Sequence, residues 1–213
     1  MILTYNIGGL PGQFTPSFNW SNQPKLNLSA PFGALAPGQV VQAAGALLGL
    51  APTDGLPANF EQNSGFLIGA LSQYLYVKQD SATVAQYLKS GQPLSGLGVF
   101  AKFGFAPEQT NTITRDAAAA VFAHGLFDQR PYDSFGVGYF YNGFGGDFKN
   151  AVWSYTHVNV GDEQGVEAFY DFALTPAIRV IPSYQHLWNP VVAQVAANNR
   201  SADVFLTRLT IAW

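Results

Sequence analysis

Bulky apolar residues recur at every second position along much of the chain, in runs of about ten residues separated by Gly, Pro, Asn or Asp clusters. A period of two predicts strands with one apolar face. In 96–105, Leu97, Val99, Ala101, Phe103 and Phe105 oppose Gly98, Phe100, Lys102 and Gly104. In 134–142, Phe135, Val137, Tyr139 and Tyr141 oppose Ser134, Gly136, Gly138, Phe140 and Asn142. The segment 163–176 sets Val166, Ala168, Tyr170, Phe172 and Leu174 against Gly165, Glu167, Phe169, Asp171 and Ala173. In 177–188, Ile178, Val180, Pro182 and Tyr184 stand against Arg179, Ile181, Ser183 and Gln185. The last run, 202–213, aligns Phe205, Thr207, Leu209, Ile211 and Trp213 on one face, with Val204, Leu206, Arg208 and Thr210 on the other.

Runs of this length suit strands that cross a bilayer at a tilt better than the ~5–6 residues usual in soluble sheets. Helical periodicity is sparse. The segment 80–91 predicts a short helix capped by Asp80 or Ser81 and followed by Gly91, and 38–50 fits either helix or strand. The stretches 144–162 and 188–201 read as long loops, whereas Leu174-Thr175-Pro176-Ala177 reads as a tight turn. Long loops alternating with short turns are a feature of outer-membrane barrels.

Composition narrows the class. Of 213 residues, 48% are apolar, 15% aromatic and only 11% charged, against about 25% charged in a typical soluble domain. No apolar run reaches the ~18 residues of a membrane helix; the longest candidate, 33–52, is broken by Pro37, Gln39 and Gln42. A net charge of −3 argues against a nucleic-acid partner. The absence of cysteine removes disulfides, thiolate metal sites and a thiol nucleophile. Aromatic rings gather near expected strand ends, among them Tyr132, Tyr184, Trp188 and Trp213, as rings do at a membrane–water boundary.

Enzyme chemistry finds little support. His124, His157 and His186 are isolated, with His124 at a strand end and the other two in or beside loops, so no metal site or other cofactor is expected. The G-x-S-x-G elbow of serine hydrolases is missing. Ser183 and His186 fall on opposite strand faces. Glu167 and Asp171 share a face but stand about 13 Å apart along a strand, too far for a glycosidase pair.

The segments 96–113, 125–142 and 165–190 carry G-L-G-V-F-A-K-F-G, then the turn Asp128-Gln129-Arg130-Pro131-Tyr132-Asp133, then an E-x-x-Y strand before an L-T-P turn. In that order and spacing, with an aromatic C-terminal residue, the chain resembles the carbohydrate-selective porins of the OprB type. The turn departs from the Gly-Arg-Pro-Asp-Asp pattern, and Ala177 replaces a frequent Trp. The resemblance is close over 60–213 and loose before that. It implies an all-β, antiparallel up-and-down transmembrane β-barrel, occupying 1–213 as a single domain with eight or nine strands of a sixteen-strand barrel. It also implies an outer-membrane location, with the lipid bilayer and mono- or oligosaccharides as partners, and is compatible with a homotrimer. Lys102, Arg115, Asp116, Glu167, Asp171, Arg179, Ser183, Gln185 and Arg208 would then line the pore, although the register of 112–127 stays open. Phe100, Phe140 and Phe169 would supply rings for sugar stacking, and Phe205, Leu209, Ile211 and Trp213 would face lipid. The opening MILTYNIGGLPGQF has no signal-peptide character, so either the mature form begins here or an upstream portion is missing; the resemblance, to a chain about twice as long, implies a leader and a first half of the barrel upstream. Two other readings are a soluble β-barrel binding a sugar or apolar ligand, with the Trp213 stripe packed inward, and a small poreless barrel closed between 12–20 and 203–213.

Overall fold

A computed structural model describes residues 2–90 and 93–212, so Gly91 and Trp213 lie outside the described residues. Nine strands form one antiparallel sheet: β1 (Leu3–Ile7), β2 (Leu10–Ser21), β5 (Ser64–Val77), β6 (Gly96–Phe105), β7 (Ile113–His124), β8 (Ser134–Phe144), β9 (Glu163–Ala173), β10 (Ile178–Trp188) and β11 (Ser201–Ile211). They pair in that order, each with its neighbours. The short pair β3 (Lys25–Leu26) and β4 (Phe60–Glu61) lies between β2 and β5 in the chain. No β-pairing joins β1 or β2 to β11 among the described residues, and β2 lies between β1 and β5, so closure between 12–20 and 203–213 is not formed.

The β1–β2 hairpin turns through Gly8 and Gly9 at φ +60° and +87°, a conformation that L side chains rarely adopt and that matches a two-residue turn. The Thr175 hydroxyl accepts the Ile178 N–H and closes the β9–β10 turn.

Among the described residues four α-helices accompany the sheet: α1 (Val40–Leu47), α2 (Ser81–Ser90), α3 (Gly146–Thr156) and α4 (Val191–Ala197). In α2 the Asp80 carboxylate accepts the Ala82 and Thr83 N–H groups, the expected cap. Segment 38–50 resolves as helix after one 3-10 turn, because Ala43 and Leu47 drop into a core. The loop readings of 144–162 and 188–201 need correction, since each contains a helix. The missed signal in the first is Phe148, Ala151, Val152 and Tyr155, spaced i, i+3, i+4, i+7. In the second, Pro190 and a left-handed Asn198 bracket α4.

The buried core lies at one end of the sheet rather than against a sheet face. Leu28, Phe32, Ala43, Leu47, Phe144, Phe148, Ala151 and Val152 pack together where α1 and α3 meet. The connections 22–63, 106–112, 145–162 and 189–200 all leave from this end, and the first and third supply most of that cap. The opposite end carries 8–9, 125–133 and 174–177, with 78–95 as a longer excursion holding α2.

Candidate functional site

Pairing registers assign the strand residues outside the two irregularities, between Tyr74 and Tyr76 and between Ile113 and Arg115, to a face. One face carries Phe14, Phe18, Leu67, Leu71, Val99, Phe103, Val121, Val137, Tyr139, Val166, Tyr170, Val180, Leu209 and Ile211. The other carries Thr15, Ser17, Ser72, Phe100, Lys102, Asp116, Asn142, Glu163, Glu167, Asp171, Arg179, Ser183, Gln185 and Arg208. Curvature distinguishes the two faces through β7. Ala117 and Ala119 on the apolar face are exposed, while Ala118 and Ala120 on the polar face are half-buried. Identical side chains differ here because those on the concave side of a bent sheet crowd one another. The polar face is therefore concave.

The expected stripe of the last strand is open on the convex side: Phe205 is 79%, Leu209 61% and Ile211 53% exposed. Nothing among the described residues covers it, contrary to the inward packing that a soluble barrel requires.

On the concave face four of the expected charges form two pairs across strands. The Lys102 ammonium stands 2.6 Å from Asp116, and the Arg179 guanidinium 2.8 Å from Asp171. Arg179 also donates to the Tyr132 carbonyl. Glu167 lies opposite Gln185 and Gly138, and Ser183 lies opposite Phe169. Phe100 faces Ser72 and Ala120. Arg208 sits on the outermost strand opposite Ile181. Arg115 is not among them. Its pairing with Phe105 and Gly143 puts it on the convex face, one residue out of phase with Asp116, so its place among pore-lining groups is corrected. The pairing settles the register that the sequence left open.

Other polar groups of this face are not among the expected pore-lining residues. Glu163 accepts from the Asn142 amide and from the Val191 N–H, tying α4 to the sheet. His124 and Ser134 share a hydrogen bond of 2.8 Å. His186 is also corrected: it lies inside β10, on the convex face, 2.8 Å from Asp203, and not beside a loop. A side chain two residues from a strand end cannot be told from a loop residue by alternation alone.

At the short-turn end, Asp133 is 4% exposed. Its carboxylate accepts from Arg130 Nε at 2.8 Å, the Tyr170 hydroxyl at 2.7 Å and the Ala173 N–H at 3.0 Å. Arg130 lies 3.8 Å over the Phe172 ring. Burial pushes the Asp133 carboxyl up, but Arg130, Tyr170 and the Ala173 N–H outweigh it and hold it below the usual carboxylate range. The turn motif seen in the sequence is thus a staple joining the 125–133 turn to β9.

A sheet with one largely apolar, exposed convex face and one polar concave face is part of the wall of a transmembrane β-barrel. The model of the carbohydrate-selective porin, OprB family, matches residues 4–212, and the chain belongs to that family, which comprises channels rather than enzymes. A solved OprB structure from Pseudomonas putida, determined at high pH, is 16% identical with a TM-score of 0.67; the match covers 100% of this chain and 47% of that one. This chain therefore spans about half the length of that relative. No curated protein sequence matches it.

Proposed function

We propose that the chain forms one arc of an outer-membrane channel through which mono- and oligosaccharides diffuse passively. The separation of apolar and polar side chains onto opposite faces of the nine-stranded sheet, clearest in β6, β8, β9 and β10, carries this reading. Family membership adds the solute class. The end bearing the short turns would face the periplasm, and the helical cap the exterior. Arg179 and Asp171, Lys102 and Asp116, with Glu167, Ser183, Gln185 and Arg208, would line the lumen. Phe100, Phe140 and Phe169 would stack against pyranose faces.

Strand parity supports the arc. With nine antiparallel strands, β1 and β11 run in the same direction. Joining β11 directly to β1, or to the β1 of another copy in the same orientation, would make a parallel seam. An odd number of further strands keeps every seam antiparallel.

Planar-bilayer recording tests this. The 213-residue chain alone should give no stable channel, whereas the chain joined to its completing strands should conduct and be partly blocked by maltose. Sugar-blocked conductance from the short chain alone would overturn the arc. Silence from both would overturn the channel.

A further inference from the structure

The concave face is tiled by rings lying over glycines. A side-chain carbon added at Gly98 would meet the Phe122 ring at 2.5 Å, at Gly136 the Phe169 ring at 2.8 Å, and at Gly165 the Phe140 ring at 2.8 Å. Gly104 is covered by the Asp116 carboxylate at 2.7 Å. Gly138 breaks the tiling. Its nearest side chain is the Ala120 methyl at 3.0 Å, followed by the Ala119 carbonyl oxygen at 3.2 Å, and no ring atom is among the three nearest.

The gap is flanked by an acid of unusual standing. Asp116 and Asp171 have cations at 2.6 and 2.8 Å, and Glu163 accepts two hydrogen bonds. Glu167, directly across from Gly138, has neither an ion-pair partner nor a side-chain hydrogen bond among the described residues. Gln185 stands opposite it on β10. On β8 and β9, Phe140 comes two residues after Gly138 and Phe169 two residues after Glu167, so the rings lie on either side of the gap along the strands.

We infer that this gap is a saccharide subsite, in which the Glu167 carboxylate accepts hydroxyl hydrogens of a pyranose seated over Gly138 between the Phe140 and Phe169 rings. An ionised carboxylate has acceptor capacity for two adjacent hydroxyls and Gln185 adds an amide. Gly138 and, across from it, Ala120 add little bulk between the two rings. Glu167 is then a specificity-determining residue, favouring solutes with vicinal hydroxyl donors over apolar solutes of equal size. This rests on the saccharide-channel reading.

Ligand-observed saturation-transfer NMR tests it, using the 213-residue chain in detergent micelles with methyl α-D-glucopyranoside as probe. The wild type should show transfer. Glu167→Gln should weaken it roughly tenfold, the loss expected for a hydrogen bond to a charged acceptor. Ala120→Phe, which fills the gap without touching Glu167, should also abolish it. Arg115→Gln on the other face should leave it unchanged, and circular dichroism checks that each variant keeps its sheet. Absence of transfer in the wild type, or equal transfer in Glu167→Gln, overturns the subsite; the sugar-blocked conductance described above would survive either result. Transfer to tetramethylammonium in place of the glucoside marks Glu167 as a cation site and also overturns it.

Discussion

Phe148 in the cap and Phe205 in the sheet are the same residue on regular elements of one chain, yet the first is 0% and the second 79% exposed. The cap buries its apolar side chains as a small water-soluble domain does. The α3 stripe of Phe148, Ala151 and Val152 meets Ala43 and Leu47 of α1, with Phe32 and Tyr155 edge to face at 5.7 Å. Among the described residues the sheet has no such core on either face, and most of its aliphatic side chains point outward along whole strands. β8 belongs to both regions: Phe144 at its upper end is buried in the cap, while Val137 and Tyr139 below are exposed. Two burial rules within eleven residues mean two solvents, water above and hydrocarbon beside.

Truncating the cap core gives the largest expected effect. Phe148→Ala removes a fully buried ring and should destabilise the cap by about 3–5 kcal/mol. Segmental hydrogen exchange should show 145–162 opening while β6–β10 stays protected. Equal loss of protection in the sheet would show that the two regions are one cooperative unit.

Adjacent alanines sharpen the contrast. Ala119→Arg puts a charge on the convex face near mid-strand and should cost about 2–4 kcal/mol in a bilayer. Ala118→Arg, one residue away on the concave face, should cost under about 1 kcal/mol, as substitutions on the wet side do. Denaturant titration in lipid vesicles measures both. Equal costs would mean that lipid does not touch the convex face.

At the far end of the sheet, Asp133→Asn weakens the staple on Arg130, Tyr170 and the Ala173 N–H. A loss of about 1–3 kcal/mol is expected, since buried donors lose a charged acceptor. The same titration should register it, with cap exchange unchanged.

The sheet was legible in the sequence because period-two alternation survives wherever two different media meet a strand. The faces of β6, β8, β9, β10 and β11 follow it residue by residue. β7 was not legible, because Ala117 to Ala120 are apolar on both faces and carry no alternation. In the cap, 38–50 fits helix or strand alike, whereas 144–162 and 188–201 read as loops because their helices are short and interrupt strand-rich sequence; the Phe148, Ala151, Val152 spacing betrays α3. Within the polar face, alternation placed Glu167, Arg179 and Gln185 together. It could not show that Asp171 is neutralised by Arg179 while Glu167 stands alone, because cross-strand neighbours depend on register. Nor could it reveal the gap over Gly138, which is defined by rings on other strands.

The smallest expected effect concerns the joint between the two regions. Asp162, just before β9, accepts from Lys149 at 2.6 Å, the Tyr141 hydroxyl at 2.6 Å and the Phe144 N–H at 3.0 Å, so it ties α3 to the top of β8. Burial raises its carboxyl, but Lys149, Tyr141 and the Phe144 N–H prevail and hold it below the ordinary value. A carboxyl depressed by folding contributes its stability above its unfolded value, near 4, and loses it as pH falls through the lower folded value. Acidification from pH 7 to pH 3 should therefore loosen 145–162, read as faster limited proteolysis by an acid-active protease compared with a near-neutral control. Asp162→Asn should begin looser at pH 7 and change less on acidification. A wild-type joint as resistant at pH 3 as at pH 7 would show that apolar packing of Phe144 and Phe148, rather than this charge, fastens the water-soluble cap to the membrane wall.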